Sequence, residues 1–173
     1  PLPNVLPPLP AMPGLPGLPS PGVDLNKSFG KASKSITKAI PGRVGVAITP
    51  TGSGEPLFFG TVKTARAWST LKAPVALAAE RAHVADLTAL ENKSIRDSDN
   101  ASAEAIWGAL GSTQSAIDAV TAVLREGGDA RTVIASELSS PPSFPGATQW
   151  ATTDQSVFAA NMTCLAGAEP VIA

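Results

Sequence analysis

Apolar and polar positions alternate along the chain with three different periods. In "VDLNKSFGKASKSITKAIPG", residues 23 to 42, Phe29, Ala32, Ile36 and Ile40 fall on one helical stripe and Lys27, Lys31, Lys34 and Lys38 on another, with Pro41-Gly42 as the stop. That spacing predicts an amphipathic helix with a solvated lysine face. "GRVGVAITP" then alternates small and β-branched apolar residues, "TGSGEP" is a turn cluster, and "LFFGTVK" is a second extended run. Together they predict an antiparallel hairpin. From Ala73 to about Leu90 the chain is alanine-rich and almost uniformly apolar, which predicts one helix buried on most sides, with Ser69 at its head.

Further on, "ASAEAIWGALG" reads as a short helix. Ser112 is a cap for "TQSAIDAVTAVLREGG", where Ile117, Val120 and Leu124 keep helical spacing and Gly127 is the terminator. Residues 128 to 149 are rich in Ser and Pro and read as loop, and "TTDQSVFAANMTCLAG" as the last helix. Two domains of behaviour result. Residues 1–23 hold most of the prolines, spaced by Leu and Gly, and form an extended linker, because proline removes backbone donors and fixes φ. Residues 24–173 form the folded unit, of mixed α+β class.

Composition narrows the chemistry. With 43% hydrophobic residues, 16% charged and a net charge of −1, the chain is an ordinary globular sequence with no electrostatic case for a nucleic-acid partner. One cysteine, Cys164, excludes an internal disulfide, and the single His83 excludes sites built on paired histidines, so neither a metal nor any other cofactor is expected. His83 lies within the apolar helical run and reads as structural.

Against this background the pattern Ser-x-x-Lys occurs three times, at Ser28 to Lys31, Ser35 to Lys38 and Ser69 to Lys72. The first two place their lysines on the solvated stripe, where no pocket can desolvate them. Only Ser69-Thr70-Leu71-Lys72 heads a buried helix. Residues three apart on a helix share a face, so Lys72 can reach the Ser69 hydroxyl and, if desolvation keeps it neutral, accept its proton. Downstream, "IRDSDNASAEAIW" holds Ser98-Asp99-Asn100.

Ser-x-x-Lys followed by Ser-Asp-Asn resembles the paired signatures of class A β-lactamases and penicillin-binding proteins, in an abbreviated, exported form like those of actinobacteria. The resemblance implies a β-lactamase/transpeptidase-like three-layer α/β/α sandwich, of which the hairpin and the helical part would lie in residues 24–173. It implies Ser69 as acylated nucleophile, Lys72 as its proton acceptor, Ser98 as proton relay to the leaving nitrogen, and Asn100 as a substrate-binding residue. Asp99 would be a structural brace. Glu137, in the Ser- and Pro-rich stretch, would orient the hydrolytic water, although Pro141 stands four residues later where the family commonly has asparagine.

Two departures are plain. Ser98 follows Lys72 by only 26 positions, and no Lys-Thr/Ser-Gly follows Asn100; Lys63-Thr64-Ala65 imitates it but precedes the nucleophile. The chain begins with Pro1 and stops on "CLAGAEPVIA", which reads as a processed or truncated chain whose remaining core strands lie elsewhere. The implied substrates are β-lactams or D-alanyl-D-alanine-type wall peptides, and the implied location is secreted or tethered to the cell envelope, with the linker and lysine face available to wall or membrane surface. The alternative is a catalytically inactive envelope domain that keeps the fold for binding or structure.

Overall fold

The computed structural model describes residues 24–52, 55–135 and 144–172; the Pro-rich linker and Glu137 lie outside them. Helix α1 (Leu25–Ala39) starts at Asp24, whose side chain accepts the Lys27 amide, and rests on the hairpin through a stack of Phe29 on Phe59. The hairpin pairs β1 (Gly45–Ile48) with β2 (Leu57–Gly60), antiparallel, in the register Val46 opposite Phe59 and Ile48 opposite Leu57. Gly45 and Gly60 face each other at its open end, away from the turn, and both positions need glycine because a Cβ on either would come within 2.2 Å of a carbonyl oxygen, of Val62 and Val44 respectively.

A second small sheet pairs β3 (Thr64–Arg66) with β4 (Gln149–Ala151), also antiparallel. The chain then turns through a 3₁₀ helix, Trp68–Leu71, into α2 (Lys72–Arg81). Here the structure corrects two expectations. Ser69 sits in the 3₁₀ turn, ahead of the α-helix. The apolar run 73 to 90 is two helices, since His83 and Asp86 take left-handed backbone angles (φ 53° and 56°) and break it before α3 (Leu87–Arg96). His83 is exposed in that break.

Next come α4 (Asn100–Ala109), α5 (Thr113–Glu126), α6 (Thr152–Met162) and a single turn, α7 (Glu169–Ile172). Helix α2 is the centre of the core. Its alanines let α3, α4 and α5 approach closely, so that Val75 and Leu77 are buried with Ile106, Trp107, Val120 and Leu124. Burial on this scale is worth roughly 1.5–3 kcal/mol for each large side chain, and it fixes α2, whose first residue is Lys72. The architecture is thus mixed α+β, with a helical body and two two-stranded antiparallel sheets among the described residues.

Candidate active site

The nucleophile candidate is placed by short-range geometry. In the 3₁₀ turn the Lys72 amide donates to the Ser69 carbonyl, and 3₁₀ pitch eclipses side chains three apart. Ser69 and Lys72 therefore stand one above the other. Ser69 is exposed, whereas Lys72 is 3% exposed because α2 carries it into the core. Trp68, immediately before Ser69, is held at φ 47°, a conformation that costs a non-glycine residue about 1–2 kcal/mol. Its amide donates to the Gly146 carbonyl (2.9 Å) and the Ala67 amide to the Thr148 carbonyl (2.8 Å), extending the β3–β4 ladder beside the Ser69 turn.

The second part comes from the start of α4. Asp99 is the N-cap, its carboxylate accepting the Ser102 amide at 2.7 Å. The cap fixes the residues on either side of it: Asn100 opens the helix and Ser98 lies just outside, with φ 54°. That left-handed turn aims both the carbonyl and the hydroxyl of Ser98 at Lys72. Lys72 Nζ donates to Ser98 O at 2.6 Å, to Ser98 Oγ at 3.2 Å and to Asn100 Oδ1 at 3.0 Å. Ser98 Oγ in turn donates to Ser69 Oγ at 2.9 Å. Lys72 is thus joined to Ser69 through Ser98.

The hydrogens on this chain can run either way. As an ammonium, Lys72 spends its three donors on the three oxygens. As a neutral amine it keeps two donors for Ser98 O and Asn100 Oδ1, which as carbonyl oxygens can only accept, and turns its lone pair to the Ser98 hydroxyl. Ser98 can then accept from Ser69 over the same heavy-atom distances. Burial lowers the Lys72 pKa from that of an ordinary amine, and the Asp99 charge partly restores it. Asp99 is itself held below the usual carboxylate range by its bonds to Ser102.

These groups open into a cleft of about 430 Å³ lined by Arg66, Trp68, Ser69, Lys72, Asn100 and Glu104 on one side and by Phe144 to Ala147 on the other, with Ala135 between. Arg66 lies over the Trp68 ring, 5.4 Å from its centroid. Glu104, one turn after Asn100 on α4, accepts the Phe144 amide at 2.6 Å and so ties the two walls together. In the sequence the only signal of Glu104 is its four-residue spacing from Asn100.

The structure thus brings Ser69, Lys72, Ser98 and Asn100 into one cleft. The other two Ser-x-x-Lys matches stay exposed on α1. Glu137 falls in residues 136–143, outside the described segments. Among the described residues no three His, Cys, Asp or Glu side chains gather as a metal site, and no helix is long and apolar enough to cross a membrane. No family model matches the chain, and no curated protein sequence does either.

Proposed function

We propose that the protein is a serine hydrolase of the β-lactamase/transpeptidase-like kind, forming an acyl-enzyme on Ser69 with β-lactams or D-alanyl-D-alanine-type wall peptides. The observation that carries this reading is the continuous Lys72–Ser98–Ser69 hydrogen-bond chain, anchored on a lysine that burial makes less basic. A serine hydroxyl attacks an amide only when a base removes its proton. In this reading neutral Lys72 receives the Ser69 proton through Ser98 as the Ser69 oxygen bonds to the substrate carbonyl carbon. The carbonyl–nitrogen bond then breaks, and Ser98 returns the proton to the departing nitrogen while Lys72 replenishes it. Asn100, at the cleft wall and bonded to Lys72, is suited to bind the substrate amide once that bond is exchanged. A wall-directed activity accords with a secreted or envelope-tethered location.

Incubation of the full chain with a penicillin-type probe, followed by intact-mass spectrometry, tests this. One adduct, absent in Ser69→Ala, is the expected result. A folded protein that gives neither adduct nor turnover overturns the enzyme reading in favour of an inactive envelope domain.

A further inference from the structure

An acyl-enzyme must also be hydrolysed, and the Lys72–Ser98 chain is poorly placed to activate the water. It ends on Ser69 Oγ, the atom that has to leave in the second step, so its task there is to give that oxygen a proton. A different base must take one from water. Among the described residues, Glu104 is the one carboxylate lining the cleft with Ser69. It is on the same helical face as Asn100, one turn further on. Its Oε2 is fixed by the Phe144 amide at 2.6 Å, and the loop carrying Phe144 is pinned beside the nucleophile by the Trp68 amide on Gly146 O at 2.9 Å. A carboxylate offers about four acceptor positions on its two oxygens, and one backbone amide leaves room for a water. The cleft, at about 430 Å³, can hold an acyl group together with a water, which needs ~30 Å³.

Resting on the acyl-enzyme reading, we propose that Glu104 is the general base of deacylation. Its carboxylate takes a proton from water as the water oxygen bonds to the acyl carbon; the bond from that carbon to Ser69 Oγ then breaks, and Oγ is reprotonated through Ser98 by Lys72, which has taken up one proton from solvent after the amine has left. Glu104 returns its proton to solvent and Lys72 is neutral again for the next acylation, so charge and atoms balance without a co-reactant.

Glu104→Gln is the informative variant, because glutamine still offers an oxygen to the Phe144 amide and removes only the base. With a chromogenic β-lactam as probe, acylation of the full chain should be unchanged in Glu104→Gln while the adduct persists ~10²–10⁴-fold longer. Hydroxylamine, which attacks without needing a base, should discharge the adducts of wild type and variant at equal rates. Glu104→Asp, keeping a shortened carboxylate, should retain part of the deacylation. If Glu104→Gln deacylates like wild type while Glu137→Gln does not, or if Gln and Asp slow acylation and deacylation alike, Glu104 is not the base. Absence of both adduct and turnover in folded wild type, with no adduct in Glu104→Gln either, would instead remove the acyl-enzyme reading, and this proposal with it.

Discussion

Ser98 Oγ lies 2.9 Å from Ser69 Oγ, and the same residue meets Lys72 with its carbonyl as well as its hydroxyl. In the proposed mechanism Ser98 is thus the joint between Lys72 as base and Ser69 as nucleophile. Ser98→Ala should leave the fold intact, because the residue is exposed and Lys72 keeps the backbone carbonyl and Asn100 as partners. Acylation should fall ~10²–10⁴-fold, read as the rate of probe attachment by quenched intact-mass spectrometry. Ser98→Gly should lose as much while relieving the left-handed backbone. An unchanged rate in both would mean that Lys72 acts on Ser69 directly.

Asp99 works against the desolvation of Lys72, since its charge favours the ammonium. Asparagine is as good an N-cap as aspartate, so Asp99→Asn removes the charge and keeps the cap on Ser102. Acylation requires neutral Lys72 and should rise with pH through the Lys72 pKa. The substitution lowers that pKa further, so the rising limb should move to lower pH. A pH series of acylation rates measures the displacement, and movement to higher pH would contradict the assignment of Lys72 as base.

Away from the cleft, Glu91 on α3 is 4% exposed. Burial first, then a hydrogen bond to Glu80 on α2 and the Glu80 charge, raise its pKa from 4.5 to about 7; Arg96, on the same helix, lines the adjoining cavity. In the unfolded chain Glu91 ionises near its ordinary value, so ionisation favours unfolding. The Glu91 contribution to stability should be fully present below about pH 4.5, be lost as pH rises to about 7, and level off above that. Glu91→Gln should flatten this slope and gain roughly 1–3 kcal/mol at pH 8, with little change at pH 4. Urea titrations at the two pH values decide it; a loss at pH 8 would show that the ionised carboxylate is needed.

How far these features could be read in advance depended on how local their causes are. The α1 helix, the pairing of β1 with β2, the Ser112 cap of α5 and the one-turn spacing of Ser69 and Lys72 are set within a few residues or between neighbouring segments. The break between α2 and α3 was hidden, because Val84, Leu87 and Leu90 continue the apolar run while the left-handed angles at His83 and Asp86 arise only as α3 folds back on α2. The β3–β4 pairing was hidden too. Three-residue strands have no period to detect, and Thr64 meets Ala151 only after four α-helices have intervened. Glu104 is an ordinary exposed helix residue until Phe144 arrives from a distant segment.

Thr148 shows what such distant contacts do for the turn that carries Ser69. It is 0% exposed, its hydroxyl donates to Pro145 O at 2.7 Å and accepts the Ala135 amide at 2.9 Å, and its carbonyl accepts the Ala67 amide at 2.8 Å. One residue thereby locks the far cleft wall, the segment that follows α5 and the residue two before Ser69. Thr148→Val preserves shape but strands the Ala135 amide in a part-buried position, which should cost about 1–3 kcal/mol and lower Tm by roughly 3–10 °C. Because Ala67 and Trp68 lean on this wall, the nucleophile should also lose alignment, and misplacement by an ångström can cost ~10²-fold in rate. Thr148→Ser, which restores the hydroxyl, should recover both properties. Calorimetry alongside probe-acylation rates separates the two effects: a lower Tm with acylation untouched would mean that the wall stabilises the fold without positioning Ser69.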